Sequence, residues 1–277
     1  RLILGLGALP GIILIPLKTQ SAPTAPATAS PAASPRQLTL RQALMTARYW
    51  PKLIGCAGGW FLFDITFYGN TLFAPTVLTA VFHTSEGQST PTIGPNLPSN
   101  LCLQLIILSI IGLPGYYVAV YFMDKVGRKN IQLQGFVVMA VLYGALSFAL
   151  DSMKKFPALL LIVYGLTYFF SNFGPNSTTF ILPSETFPYE VRSSLNGLCA
   201  ATGKLGAVVG SSGFKPVVQA AGTGVVFGLC AGCAVLGAII TALFVEDRRG
   251  RAAEAASFMD SREQDGLEVS SHQQESC

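Results

Sequence analysis

Six stretches, 53–81, 101–122, 131–150, 157–182, 197–220 and 224–245, are each 20 or more residues long and dominated by apolar side chains. About 20 such residues are needed for a helix to cross the hydrocarbon core of a bilayer. The runs are continuous, without the ten-residue alternation of porin strands, so helices are indicated and a barrel is not. Charge agrees. Residues 53–245 hold only 14 of the 32 charged side chains, while the last 32 residues hold 12. A stretch so poor in ions could not keep a water-facing surface soluble, which excludes a soluble enzyme. The net charge of +4 is not gathered into a basic groove, which excludes a nucleic-acid binder. The sequence therefore predicts an all-α membrane protein with the lipid bilayer as its principal partner.

Four zones follow. Residues 1–17 begin at Arg1 and read as the truncated end of a further span, so the chain is expected to start inside a longer polypeptide. Residues 18–52 form a linker whose 21–35 segment contains only Ala, Pro, Ser and Thr, a composition that buries almost nothing. Its last part, 39–50, sets Leu40, Leu44 and Met45 against Arg41 and Arg48 and is predicted to be a short helix lying in the membrane interface. Residues 53–245 are the six-helix bundle, and 246–277 are a polar tail of mixed charge. Counting Lys and Arg by side gives thirteen on the side of the linker and tail against three on the other. The positive-inside rule then places linker and tail in the cytoplasm.

Five of the six cysteines (Cys56, Cys102, Cys199, Cys230 and Cys233) lie in apolar runs, where Cys behaves as a small hydrophobe. Cys230 and Cys233 have C-x-x-C spacing but no other ligand type beside them, so helix packing is the expected role. His83 and His272 are isolated. Neither a metal nor a cofactor is expected.

Two ions do fall deep inside predicted spans, Asp64 and Lys204; Lys215 is nearer a span end, from which it can snorkel. Intramembrane ionisable groups mark transport pathways by default, the bland alternative being a structural ion pair between helices. Trp60 and Tyr68 stand four residues to either side of Asp64 and share its helix face, giving a donor, a titratable group and a second donor in one stripe. In the 157–182 run, Asn172-Phe-Gly-Pro-Asn-Ser-Thr-Thr179 predicts a kink or break at Gly174-Pro175. Broken membrane helices line cavities, and transporters place sites at the break, which makes Asn176 a candidate ligand; the alternative is a polar run that only glues helices together. Gly203, Gly206 and Gly210, and later Gly228 and Gly232, are read as helix-packing positions.

Asp124-Lys-Val-Gly127-Arg128-Lys129 resembles the D-x-x-G-R-[RK] loop of the major facilitator superfamily, and Pro183-Ser-Glu185-Thr-Phe187-Pro188-x-x-x-Arg192 resembles that superfamily's P-x-E-x-F-P-x-x-x-R turn. The runs 172–180 and 200–204, taken with Trp60-x-x-x-Asp64-x-x-x-Tyr68, resemble the phosphate:proton symporters of fungi and plants. The resemblance spans nearly the whole chain and implies the C-terminal six-helix half of a twelve-helix transporter in the plasma membrane, the N-terminal half being absent from this chain. It implies Trp60, Asp64, Tyr68, Asn176 and Lys204 as substrate-binding residues, with Asp64 also coupling the proton. Asp124, Gly127, Arg128, Glu185 and Arg192 would be the gating motifs. The partners implied are inorganic phosphate and protons, with a proton gradient as driving force and no cofactor. Family members often carry His where this chain has Asn196, and their central linker is longer and less rich in Ala and Pro. A sugar or organic-ion porter of the same fold and a phosphate sensor without flux are the competing readings. One half alone lacks the opposing bundle that alternating access needs, so the isolated 277 residues are expected not to transport.

Overall fold

The computed structural model describes residues 39–82 and 99–246. All of these fall within one contact unit, Leu38–Cys277. The expectations for 1–17, for most of the linker, for His83 and for the tail beyond Glu246 lie outside the described residues.

Ten α-helices are described: α1 (Leu40–Met45), α2 (Trp50–Leu53), α3 (Gly59–Phe82), α4 (Ser99–Gly112), α5 (Pro114–Val126), α6 (Arg128–Met153), α7 (Pro157–Asn172), α8 (Pro175–Thr186), α9 (Tyr189–Ala221) and α10 (Thr223–Phe244). No strand occurs among the described residues. Four helical stretches there are long and apolar enough to cross a membrane: Ile106–Val126, Arg128–Met153, Ala158–Thr186 and Thr223–Phe244. At 33 residues α9 also has the length, but it carries Lys204, Lys215 and a string of Gly and Ser.

Proline positions explain the joints. Pro114, Pro157 and Pro175 each open a helix, where the missing N–H costs nothing. The predicted break at Gly174-Pro175 is present: α7 stops at Asn172 and α8 begins at Pro175. Carbonyls that the break frees are taken up by side chains. Ser177 Oγ donates to the Asn172 carbonyl at 2.7 Å, and Gln134 Nε2 donates to Phe173 O. Much of the polar run therefore serves to satisfy the broken backbone, as buried polar groups require. Gly135 of α6 touches Gly174 so closely that a Cβ on either would come within 2.7 Å of the other's Cα.

The segment 39–50 is not one helix. A Thr39/Gln42 capping box starts α1, but Thr46 turns extended (φ −88°, ψ 112°) and a separate 3-10 turn, Ala47–Tyr49, leads into α2. Between α2 and α3 the chain winds as a π-helical turn, Ile54–Gly58, a feature that hydropathy does not reveal. Helix α9 starts eight residues before the apolar run predicted there, since its first two turns are amphipathic.

The tightest pairings are α6 with α10 and α3 with α9. Phe63, Phe136, Met139, Tyr143, Leu146, Tyr164, Phe227 and Cys230 form one core; Leu53, Cys56, Trp60, Leu182, Phe187, Leu195 and Cys199 form another, where the start of α3 meets the end of α8 and the start of α9. Gln132, fully buried, ties three helices together: its Nε2 donates to Thr241 Oγ1 of α10 and its Oε1 accepts from Thr178 Oγ1 of α8, both at 2.9 Å. Outward faces are apolar, including Ile110, Val120, Val141, Leu243 and Phe148, the last 95% exposed, as befits a surface whose solvent is lipid. Cys230 and Cys233 lie within α10 as free thiols, Cys230 in the core, in line with a packing role. On α10 the expectation for glycines holds only in part. A Cβ at Gly228 would meet Ser147 Oγ at 3.1 Å, but Gly232 has nothing within 4 Å; Gly237 makes the close contact, against Phe136.

Candidate functional site

Helices α3 and α9 lie almost backbone to backbone, and glycine is the reason. A Cβ at Gly206 would fall 2.2 Å from the Phe61 carbonyl oxygen, and one at Gly210 would fall 2.2 Å from that of Ile65. Gly203 seats the Trp60 indole in the same way, 2.5 Å from its Cδ1. These are three small residues on one face of α9, the arrangement by which membrane helices approach closely. Lys204, flanked by this seam, is thereby brought to the Asp64 stripe of α3.

The Lys204 ammonium lies 3.2 Å from Asp64 Oδ2, donates to the Tyr68 hydroxyl at 3.0 Å, and sits 4.8 Å from the centroid of the Tyr68 ring. The Trp60 indole, one turn before Asp64, also interacts with the carboxylate. Burial is lopsided: the Asp64 side chain is 3% exposed and that of Lys204 is 60% exposed. The anion of the pair is hidden and the cation faces outward. A negatively charged visitor would meet the Lys204 ammonium and the Tyr68 hydroxyl before it met the carboxylate. Trp60, Asp64, Tyr68 and Lys204 thus form one cluster.

Asn176 belongs to a second cluster. Its Nδ2 donates to the Tyr116 hydroxyl of α5 at 2.6 Å and to Asn172 Oδ1 at 2.8 Å; Asn172 Nδ2 in turn donates to the Gly112 carbonyl at 2.9 Å. The two clusters are linked through Phe180, one turn beyond Asn176, whose ring stands edge-on to Trp60 with centroids 6.1 Å apart. Tyr116 and Asn172 were not singled out by sequence reasoning, although Tyr116 directly follows Pro114-Gly115, a signal of irregular helix. A cavity of about 480 Å³ between α3, α4, α5 and α7 is walled by Phe67, Thr71, Tyr116, Tyr168 and Asn172 among others.

The motif residues form a third group. Arg128 Nη1 pairs with Asp124 at 2.7 Å, Arg128 Nη2 pairs with Glu185 of α8 at 3.0 Å, and Arg128 Nε donates to the same Glu185 oxygen at 3.2 Å. Gly127, with φ 90°, makes the α5–α6 corner in a conformation that side chains with a Cβ disfavour. Arg192 Nε donates to the Phe187 carbonyl at 3.1 Å. One arginine therefore fastens the α5–α6 hairpin to the half-helix that follows the break. Among the described residues no group of three His, Cys, Asp or Glu side chains is placed to hold a metal.

Membrane-crossing helices, an ion pair embedded among them and a broken helix beside it are the features of a membrane transporter rather than an enzyme. Residues 50–259 match the family model described as "Sugar (and other) transporter", and the chain belongs to that family, within the major facilitator superfamily. It is 37% identical over 213 residues to the probable inorganic phosphate transporter 1-6 of Arabidopsis thaliana, covering 76% of this chain and 41% of the relative. It is 36% identical over 172 residues to the inorganic phosphate transporter PHO84 of Saccharomyces cerevisiae, 62% of this chain and 28% of that protein. With the low affinity inorganic phosphate transporter 1 of Petunia hybrida it shares 36% over 228 residues, 76% and 42% of the two chains. The chain thus spans less than half the length of these relatives.

Proposed function

We propose that this chain is part of a proton-coupled inorganic phosphate transporter working by alternating access, with Asp64 as the coupling group and Trp60, Tyr68, Lys204 and Asn176 completing the substrate site with it. The observation that carries the reading is the Asp64–Lys204 pair, carboxylate inside and ammonium outside, in a protein whose relatives are named for inorganic phosphate. Those names favour an oxyanion over a sugar, and an outward-facing ammonium with its carboxylate hidden behind it suits an anion.

With Asp64 ionised the pair is neutral, and Lys204 is held by its own carboxylate. Two unit charges about 4 Å apart at an effective dielectric of 20 repel by roughly 4 kcal/mol. A phosphate arriving beside an ionised Asp64 meets that penalty. A proton on Asp64 removes it, leaves the cluster with one net positive charge, frees Lys204 to pair with the anion and turns the carboxyl into a donor. Loss of the proton on the other side of the membrane reverses each of these terms and ejects the anion. Proton and phosphate thereby travel together without a cofactor. In this reading the N-terminal half supplies the opposing wall, Arg128 with Asp124, Glu185 and the Gly127 corner holds the gate-side hairpin to α8, Arg192 braces the turn before α9, and the linker and tail face the cytoplasm of a plasma-membrane protein.

The test is uptake of labelled phosphate into proteoliposomes holding the protein at its full length, with an imposed proton gradient. Asp64→Asn is expected to retain binding and to lose accumulation driven by the gradient. Unchanged gradient-driven accumulation in that variant would remove Asp64 from the coupling.

A further inference from the structure

Cations gather where α10 ends. The last turn of a helix leaves carbonyls without partners and carries a partial negative charge, which positive side chains offset. Lys129 Nζ donates to the Ala242 carbonyl at 2.9 Å, and Lys52 pairs with Glu246, just past the helix, at 3.3 Å. Arg48 is different. It is exposed and has neither an ion-pair nor a side-chain hydrogen-bond partner among the described residues. It lines a cavity of about 220 Å³ with Pro51 and Lys52 on one side and residues 243–246 on the other. Two cations therefore face this space against one carboxylate.

The neighbouring side chains fix its depth. Trp50 is 50% exposed, and its indole N–H is already spent on the Leu44 carbonyl at 3.0 Å, so the ring needs no water. Met45, Ile54 and Leu243 are exposed as well. Bulk water would leave these apolar groups unburied, and the hydrocarbon core would leave Arg48 unsolvated. The boundary between acyl chains and headgroups suits both, and it is where interfacial Trp and basic residues collect.

We propose that this cavity binds the phosphate of an anionic phospholipid, with Arg48 as its principal contact and Met45, Trp50 and Leu243 against the acyl chains. A guanidinium presents a planar fork of donors that matches phosphate oxygens in pairs. Lys52 is a second cation held in check by Glu246, so Glu246 sets the strength of the site. The surplus positive charge selects an anionic headgroup over a zwitterionic one, whose own cation would meet Arg48 and Lys52. By the Lys and Arg count this end of the bundle faces the leaflet that carries anionic lipids. Nothing in the proposal depends on which solute crosses the membrane.

The experiment titrates phosphatidylserine, and phosphatidylcholine in parallel, into the protein at its full length and reads bound lipid by native mass spectrometry. Melting temperature in phosphatidylcholine alone checks that each variant is folded. One basic residue near an anionic lipid surface corresponds to about a fivefold change in affinity. Arg48→Gln is expected to weaken phosphatidylserine binding by that factor, and Glu246→Gln to strengthen it by releasing Lys52. Arg41→Gln, exposed on the same segment but outside the cavity, should stay within twofold of wild type. Equal losses in Arg41→Gln and Arg48→Gln would overturn the site in favour of a diffuse positive surface. Unchanged binding in Arg48→Gln, or equal affinity of wild type for the two lipids, would overturn it outright. Ready displacement of phosphatidylserine by inorganic phosphate would give the cavity to the free anion and overturn the lipid assignment. No readout here requires transport, so failure of the coupling scheme registers separately, in Asp64→Asn.

Discussion

Replacing Lys204 by Met removes the cation and keeps most of the side-chain volume, leaving a 3% exposed carboxylate with Trp60 beside it but no counter-charge. At 3.2 Å and an effective dielectric of 20, the Coulomb attraction lost is about 5 kcal/mol. That is a ceiling, because the ammonium is 60% exposed and already well solvated. Exposed pairs are worth roughly 0.2–1 kcal/mol, and stripping one partner from a buried pair costs about 3–5 kcal/mol. With one partner buried and one open, the expected loss is intermediate, about 2 kcal/mol at neutral pH. For a protein of this size that corresponds to a fall in Tm of roughly 4–8 °C, read by thermal unfolding of the purified protein. Asp64→Asn should cost less, since it leaves an exposed Lys and no buried charge. The double variant Asp64→Asn/Lys204→Met should recover much of what Lys204→Met lost. If the double variant is as unstable as Lys204→Met, the damage comes from lost packing and the electrostatic account of this pair is wrong.

Two further outcomes follow from the same contact. Gly206→Ala sets a methyl 2.2 Å from the Phe61 carbonyl oxygen and should lower stability by about 1–3 kcal/mol, as overpacking does. Gly213→Ala on the same helix has nothing within 4 Å and should be neutral or stabilising by up to about 1 kcal/mol from helix propensity; equal melting temperatures for the two would deny the close approach of α3 and α9. Lys204→Ala should weaken phosphate binding more at low salt than Lys204→Arg does, measured by equilibrium binding across ionic strength, and identical affinities would make the charge irrelevant.

Most of the bundle could be read from hydropathy because a bilayer leaves few choices: backbone groups must be satisfied within each segment, so a 20-residue apolar run has to be a helix. The break before Pro175 was legible for an equally local reason, a missing donor next to a residue without a side chain. Features that depend on a neighbour were not. The π-helical turn at Ile54–Gly58 lies where Gly55 approaches the Phe244 carbonyl, and no pattern in either segment announces that meeting. Gln132 and Gln134 sit at the start of an apolar run, yet one clamps three helices and the other caps the freed Phe173 carbonyl. Tyr116 was not singled out, and Asn172 entered only as the first residue of the kinked run, because polar but neutral residues in a span are ambiguous until their partners are known.

The Asp64–Lys204 cluster shows how the two kinds of information combine. Four-residue spacing put Trp60, Asp64 and Tyr68 on one face, but nothing in that spacing says that a lysine 140 residues later meets them. What brings it there is the absence of side chains at Gly203, Gly206 and Gly210, which lets one backbone rest on another. In water such a seam would be a weak device, since glycine costs helix stability and buries little apolar area. Between membrane helices, where lipid is as apolar as leucine and association relies on packing, it is an effective one. The seam and the charge pair depend on each other. Without the close approach the carboxylate would lack its cation, and without the charge pair a helix as polar as α9 would gain little from the membrane interior. Substitutions at Gly206 and at Lys204 should therefore couple: the cost of Lys204→Met ought to shrink in a Gly206→Ala background, because the approach that gives the pair its strength has already been lost.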